Sequence, residues 1–343
     1  MYFGNWKSYP QFFCRAPGRV NLIGEHVDYM GFSVLPMALA NDVIVAVGLD
    51  DVQSQQPSVA VINLEPRYPS AEFRIGEVSG TNWHDYVACG VKGAMEDLHL
   101  TSFPTNMRMA FSGNIPCAAG LSSSSALVCA AALAFYKAHE IHSGTSVPSR
   151  LHVASMCCKA ERYIGTMGGG MDQAASLLSQ SGSALHIEFT PTLAAELVPL
   201  PPGAVFVVAN SLADSFKAEC GNPFNHRVAE CRLACILIRR ALHPSGSGLS
   251  GAGSPCRSEL TLAAVLSDFG LNESQLVAKI GKEAETVGAG DDVDSSEGPS
   301  RSELLPSLVT GEEAAKLLGT DLAGLRDMVG VVSLATTMTT AGV

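Results

Sequence analysis

Residues 113–129 read GNIPCAAGLSSSSALVC, and apolar residues continue at helical spacing through AALAFYKAHE to residue 140. Glycine, proline and small residues indicate a loop over 113–121, and serines open the helix that follows. The first turn of a helix leaves backbone N–H groups without partners, and the helix dipole favours an anion there. The stretch therefore predicts either a phosphate-binding loop or a serine N-cap surrounded by small packing residues.

A second glycine-rich stretch, GTMGGGMDQ, covers residues 165–173 and places three consecutive glycines directly before Met171 and Asp172. Consecutive glycines indicate unusual backbone angles or a close approach of the backbone to a ligand. An aspartate directly after them is well placed to hold its carboxylate in a site. The alternative is that Asp172 is the N-cap of the next helix.

A third stretch, RAPGRVNLIGEHVDY at residues 15–29, concentrates Arg19, Glu25, His26 and Asp28 in an otherwise apolar segment. Several hydrogen-bond donors and acceptors at such short spacing suit a ligand with many hydroxyl groups, such as a sugar. A metal site is the weaker interpretation, because the segment lacks a complete ligand set. The remaining alternative is a solvated turn.

The overall composition restricts the class of protein. Of 343 residues, 47% are apolar and 16% charged, and the net charge is −11, which indicates a folded protein that binds neither nucleic acid nor an anionic membrane surface. No apolar run reaches membrane-spanning length, and the first 15 residues lack a secretory apolar core. The ten cysteines form no C-x-x-C pair, so we expect free thiols, no zinc site and a cytoplasmic location.

The pattern along the chain favours two domains. We expect an N-terminal domain over 1–200 and a partial C-terminal domain over 201–329, with flexible linkers at 243–256 and 284–302 and a tail at 330–343. Strand patterns cover 12–64 (with loops), 105–112, 183–189 and 203–209, and helical patterns cover 83–98, 122–140, 150–163, 171–180, 225–242 (with Asn225 as N-cap) and 257–283.

Taken together, the three stretches resemble the GHMP kinase superfamily, in its galactokinase and N-acetylgalactosamine kinase branch. Two further matches are KAERYIGTMGGGMDQ at 159–173 and FNHRVAECRLA at 224–234. Within the branch the four serines, the triple glycine and Phe224, where many galactokinases carry tyrosine, lie nearest to N-acetylgalactosamine kinases. The resemblance implies ATP-dependent phosphorylation of the C1 hydroxyl of N-acetylgalactosamine. The alternatives are a galactokinase acting on D-galactose, and a non-catalytic sugar- and ATP-binding sensor or inactive truncated paralogue.

The resemblance implies roles for individual residues. Arg19, Glu25, His26, Asp28 and Asp172 would surround the sugar, with Arg19 and Asp172 catalytic. Arg19 would lower the pKa of the Asp172 carboxyl, which would then orient the C1 hydroxyl or accept its proton. The ATP-binding residues would be Trp83, Tyr86, Gly120, Ser122, Ser123 and Lys217, and the Mg²⁺ ligands would be Ser124 and Glu161.

The same resemblance implies a fold class and a set of sequence motifs that a family member should contain. The fold would be α+β with two lobes, of which the N-terminal one resembles ribosomal protein S5 and the C-terminal one is incomplete. The family's third motif, of the type G-x-G-W-G-G-C, is absent from this sequence. We therefore expect a truncated member of the family, monomeric, whose partners are a small-molecule sugar and Mg-ATP.

Overall fold

The computed structural model describes residues 9–53, 56–213, 223–242, 260–279, 308–310 and 337–339. The chain divides into two units, one formed by Met1–Asp28 with Ser33–Glu219 and the other by Tyr29–Phe32 with Cys220–Val343. Five predicted features lie partly or wholly outside the described residues: Lys217, the linkers at 243–256 and 284–302, both ends of the helical segment at 257–283, and most of the tail at 330–343.

A five-stranded mixed sheet forms the framework of the first unit. Its spatial order is β1-β2-β5-β3-β4; β3 and β5 run parallel, whereas the other neighbours are antiparallel. Pairing of Asn63 with Phe111 near the ends of β3 and β5 brings the segments after these two strands to one edge of the sheet. The strands are β1 Phe12–Ile23, β2 Leu35–Gln53, β3 Ser58–Asn63, β4 Ala71–Arg74 and β5 Thr105–Gly113.

Four helices and a two-stranded sheet complete this unit. The helices are α1 Trp83–Asp97, α2 Ser123–Ser143, α3 Arg150–Ala160 and α4 Met171–Leu178, and the second sheet pairs β6 Ser183–Glu188 with β7 Ala194–Pro199 in antiparallel register. A 3-10 turn over Glu161–Ile164 follows α3 directly. Of the predicted α+β fold, the mixture of helices and strands is thus confirmed, as are the helices at 83–98 and 122–140 and the strand at 105–112.

Helix α2 lies at the centre of the hydrophobic core, because its apolar residues occupy every face. Twelve residues between Ser125 and Ala138 are buried, and six of them are alanines. Small side chains let neighbouring helices approach closely: a Cβ at Gly90 of α1 would lie 2.4 Å from the carbonyl oxygen of Val128. A helix that is apolar on every face is stable only when it is enclosed, so α2 is held by α1, α3 and the sheet.

The prediction of a strand at 203–209 is wrong. These residues adopt irregular structure, and Val205 and Val207 are 85% and 89% exposed. Their β-branched pattern favours an extended backbone, but a strand also needs a neighbouring strand to pair its N–H and C=O groups. No described strand lies beside them, whereas β7, which the pattern did not predict, pairs with β6.

The second unit contains α5 Pro223–Leu242, α6 Leu262–Phe269, a further helical stretch at 273–279, and a short antiparallel pair, β8 Leu308–Thr310 with β9 Thr337–Thr339. Leu242, Leu266 and Leu276 form one buried apolar cluster of this unit. Helix α5 begins at Pro223, so Asn225 lies inside its first turn and is not the N-cap. None of the described helices is both long enough and apolar enough to cross a membrane.

Candidate active site

The loop between β5 and α2 has an unusual backbone. Ala118, Gly120 and Ser122 have φ angles of 55°, 73° and 60°, in the left-handed region that residues other than glycine adopt rarely. Such angles persist only where the surroundings hold them, and they occur often in ligand-binding loops. Strand β1 supplies one restraint: the Arg19 N–H donates to the carbonyl oxygen of Leu121 at 3.2 Å.

Gly18 makes this close approach of strand and loop possible. A Cβ at this position would lie 2.7 Å from the Leu121 carbonyl oxygen, which is closer than side chains tolerate. The glycine in the sequence RAPGRV is therefore required by the packing of β1 against the loop.

The serines at the start of α2 do not act as a simple cap. Ser122 occupies the N-cap position, but its side chain caps no backbone N–H. Ser122 is 8% exposed as a whole, and its Oγ atom is buried and has no hydrogen-bond partner among the described residues. By contrast, Ser125 serves packing, because it is buried and accepts a hydrogen bond from Gln173 at 3.4 Å. The N-cap interpretation of the serine run therefore does not account for Ser122.

Arg19 and Asp172, which are 153 positions apart in sequence, form a buried ion pair. The Nε and Nη2 atoms of Arg19 lie 2.8 Å and 2.6 Å from Oδ1 of Asp172. The remaining arm of the guanidinium, Nη1, donates to the carbonyl oxygen of Gly120 at 2.7 Å. A single cation thus connects the aspartate of the triple-glycine segment to the loop before α2.

Asp172 is not the N-cap of α4, as one interpretation of the sequence had it. The N-cap is Gly170, with φ of 113°, and Asp172 is the second residue of the helix. Asp28 holds the glycine segment from the other side, since its Oδ2 accepts from the N–H groups of Gly169 at 3.1 Å and Met171 at 3.4 Å. Asp28 therefore positions the backbone that carries Asp172.

Glu25 and His26 lie on an exposed turn after β1. His26 has φ of 60°, and Glu25 accepts a hydrogen bond from Asn21 Nδ2 at 3.0 Å. The ion pair and these hydrogen bonds connect Arg19, Asp28, Asp172 and Gly120 directly or through the glycine segment, whereas Glu25 and His26 are exposed. A bound ligand with hydroxyl groups could contact both side chains without displacing a buried group.

A cavity of about 330 Å³ opens at the sheet edge in front of α2. All six predicted ATP-binding and metal-binding positions on α1, the loop and the first turn of α2 line it. They are Trp83, Tyr86, Gly120, Ser122, Ser123 and Ser124.

Trp83 and Tyr86 reach the cavity because α1 begins beside it. Asp85 fixes this helix start by accepting hydrogen bonds from the N–H groups of Asn82 at 2.8 Å and Gly80 at 3.1 Å. The Trp83 indole donates to the carbonyl oxygen of Pro69 at 2.8 Å, and its ring meets Phe111 edge-on at 5.9 Å. The indole is thereby held in one orientation at the cavity wall.

The sequence interpretation missed another part of the cavity wall, which the segment after β3 provides. Asn63, Glu65, Arg67 and Tyr68 line the cavity, and the Arg67 guanidinium lies 4.9 Å from the centre of the Tyr68 ring. Nothing in the local pattern LEPRYPS distinguishes it from a surface turn. It reaches the site because β3 lies parallel to β5, so that the segments after both strands leave the same edge of the sheet.

Glu161 is the candidate metal ligand that lies outside the cavity wall. It is 4% exposed, and its negative charge, together with the larger effect of burial, raises the pKa of Tyr86. A carboxylate and a serine hydroxyl are hard oxygen ligands, and Mg²⁺ in kinases binds one or two carboxylates together with substrate phosphates. The oxygen donors of Glu161 and Ser124 are thus of the type that Mg²⁺ prefers, and among the described residues no group of three His, Cys, Asp or Glu side chains could hold a metal ion by itself.

Comparison with known families agrees with this geometry. Residues 3–49 match the model of the galactokinase galactose-binding signature, and residues 85–180 match that of the GHMP kinase N-terminal domain. A galactokinase of Candida maltosa is 37% identical over 185 residues, and the chain covers 82% of it. The chain belongs to the galactokinase family.

Comparison with two longer galactokinases gives the fraction of their length that this chain spans. A galactokinase of Dictyostelium discoideum is 39% identical over 237 residues, and one of Saccharomyces cerevisiae is 36% identical over 249; both alignments cover 67% of this chain and 46% of the relative. The chain therefore spans about half the length of these two relatives. All three relatives are called galactokinases, which supports the galactokinase alternative better than the predicted N-acetylgalactosamine kinase.

The fold agrees with the family assignment. A crystal structure of Lactococcus lactis galactokinase in complex with galactose superposes with a TM-score of 0.54 and 22% identity, over 84% of this chain and 75% of that one. The mixed α/β fold is thus that of a galactokinase.

Proposed function

We propose that this chain provides the ATP- and sugar-binding part of a galactokinase, which transfers the γ-phosphoryl group of ATP to the C1 hydroxyl of D-galactose. The observation that carries the proposal is the buried contact of Arg19 with both Asp172 and Gly120. Through this contact, Arg19 connects a carboxylate that suits a sugar hydroxyl with a loop that suits phosphates. The relatives named galactokinase support galactose as the substrate.

In this proposal the nucleotide occupies the cavity, with its base against Trp83 and Tyr86. Its phosphates lie along the left-handed loop and the first turn of α2, where Gly120, Ser122 and Ser123 line the wall. Backbone N–H groups at a helix N-terminus and the helix dipole stabilise phosphate there. Mg²⁺ held by Ser124 and Glu161 would offset phosphate charge when bound.

Asp172 and Arg19 act on the reacting groups. Asp172 orients the C1 hydroxyl and accepts its proton as the new bond from oxygen to phosphorus forms and the bond to ADP breaks. Because phosphoryl transfer passes through a loose transition state, positioning and charge stabilisation contribute more than early proton removal. Arg19 keeps Asp172 in place and supplies positive charge beside the transferred group, while Asp28, Glu25 and His26 bind the other sugar hydroxyls.

The test is ADP release by the purified chain with Mg-ATP, with galactose and N-acetylgalactosamine offered in parallel. We expect turnover with galactose, and a ratio of kcat/KM values that favours it over N-acetylgalactosamine. Asp172→Asn should lower kcat by about 10²–10⁴-fold while ATP binding persists. Asp97→Asn serves as the control, because Asp97 contacts Tyr136 and His152 away from the cavity.

Three results would contradict the proposal. Unchanged turnover in Asp172→Asn would remove this residue from the reaction. Folded protein that binds ATP and galactose without turnover would favour the sensor or inactive-paralogue alternative, and preference for N-acetylgalactosamine would restore the assignment that Phe224 and the four serines favour.

A further inference from the structure

Cys117 differs from the other described cysteines in its accessibility. Of the eight, all free, Cys117 is exposed, whereas the others are buried or half-buried. Burial raises the pKa of the Cys14 thiol to about 11 and that of Cys158 to about 12. Because the thiolate is the nucleophile, a thiol of pKa 11 carries roughly 100-fold less of it near neutral pH than an ordinary thiol.

Cys117 also lies in the wall of the cavity, on the loop that precedes α2. Tyr68 lies beside Cys117 in the same wall, and the Arg67 guanidinium lies 4.9 Å from the centre of its ring. A group attached to the sulfur would therefore lie beside the aromatic and cationic side chains that line the opening. In a cavity of about 330 Å³, an attached peptide would compete directly with a nucleotide.

A separate observation concerns Ser122, which lines the same wall. Ser122 is 8% exposed, and its buried Oγ has no hydrogen-bond partner among the residues that the structure describes. It stands at the N-terminus of the 21-residue helix α2, where the helix dipole favours negative charge. An anionic reagent that enters the cavity thus approaches Cys117 with electrostatic attraction.

We propose that Cys117 is a site of reversible thiol modification that closes the cavity: a small anionic disulfide such as oxidised glutathione exchanges with it. The Cys117 thiolate attacks one sulfur of the disulfide, a protein–glutathione disulfide forms, the bond between the two glutathione sulfurs breaks, and one glutathione leaves as its thiolate. The attached tripeptide occupies the space of the nucleotide, and an added thiol reverses the reaction. This proposal rests on the proposed binding of ATP in the same cavity.

The experiment uses the full chain in a Cys220→Ser/Cys256→Ser background, because these two cysteines lie outside the described residues. The reduced protein is treated with oxidised glutathione, the modified cysteine is identified by peptide mass mapping, and ATP affinity is measured before treatment, after it and after dithiothreitol. Cys117→Ser is the test variant. Cys14→Ser is the matched control, since Cys14 is half-buried on β1 and does not line the cavity.

We expect glutathione on Cys117 at a rate about 10-fold or more above that of Cys14, because Cys117 is exposed to the reagent, whereas Cys14 is half-buried and burial raises the pKa of its thiol to about 11. Treatment should weaken ATP binding at least about 10-fold, which is 1.4 kcal/mol, and dithiothreitol should restore it. Treated and untreated Cys117→Ser should bind ATP within twofold of each other, whereas Cys14→Ser should respond like the parent.

The outcomes separate this inference from the proposed function. If ATP binds but glutathione attaches elsewhere, or attaches to Cys117 without weakening binding, the inference is overturned and the kinase proposal stands. If the reduced protein binds no ATP, the proposed function and the closure of the cavity both fall, and the peptide map still decides whether Cys117 is the exchanging thiol.

Discussion

Replacement of Asp172 by leucine should strongly destabilise the first unit, because it leaves the Arg19 cation buried without its counter-ion. Arg19 is 3% exposed, and two of its three guanidinium nitrogens contact Asp172 Oδ1. Removal of one partner from a buried ion pair costs about 3–5 kcal/mol. Asp172→Asn keeps an acceptor but loses the charge, so we expect a smaller loss of about 1.5–3 kcal/mol.

The double variant Arg19→Met/Asp172→Leu decides whether this explanation is right. It removes both charges and leaves apolar groups of similar length, so it should cost less than Asp172→Leu alone. The coupling free energy of the cycle should then exceed about 2 kcal/mol in magnitude, above the range expected for distant residues.

Urea unfolding followed by Trp83 fluorescence measures these free energies for the first unit. The only other tryptophan, Trp6, is replaced by phenylalanine in every variant. With a slope near 2 kcal/mol/M, the expected loss lowers the midpoint by about 1.5–2.5 M. A loss below about 1 kcal/mol in Asp172→Leu, or a double variant that costs the sum of the single ones, would refute the reasoning.

Three further predictions concern the loop, the cavity and the core. Gly18→Ala places a Cβ 2.7 Å from the Leu121 carbonyl oxygen, so urea unfolding should show that the unfolding free energy falls by about 1–3 kcal/mol. Gly168→Ala is the control, because the space around this glycine is open. Equal losses of unfolding free energy in the two variants would contradict the explanation. Trp83→Leu should weaken ATP binding about 10-fold in calorimetric titration, because an aromatic face contributes roughly 1–3 kcal/mol per stacked base. A change in affinity under twofold would exclude stacking of the adenine on Trp83. Burial raises the pKa of Cys158 from 9.0 to about 12, so its ionisation favours the unfolded state and stability falls above pH 9. At pH 10.5 the ionisation of Cys158 lowers the unfolding free energy by about 2 kcal/mol. Cys158→Ala should reduce the alkaline loss of unfolding free energy by that amount, and an identical loss in both proteins would contradict the prediction.

Local patterns predicted most of the elements that the site needs. Apolar periodicity indicated α1 and α2, and the loop sequence 113–121 indicated a turn of small residues before the helix. These features depend on residues that are close together in the sequence, so a single stretch of sequence is enough to predict them. The pattern was insufficient at 203–209 and at β7, because strand formation depends on whether another strand is available to pair.

By itself, the sequence determined the helix that opens with serines and the two candidate charges, Arg19 and Asp172. Tertiary structure alone decided that these charges meet across 153 positions, and that Asp172 contacts Arg19 instead of capping α4. It also decided that the segment after β3, with Tyr68, forms a wall of the cavity and lies beside Cys117. The physical reason is that these contacts arise from the parallel pairing of β3 with β5 and from the packing of β1 against the loop, and such pairings join residues that no local sequence pattern relates.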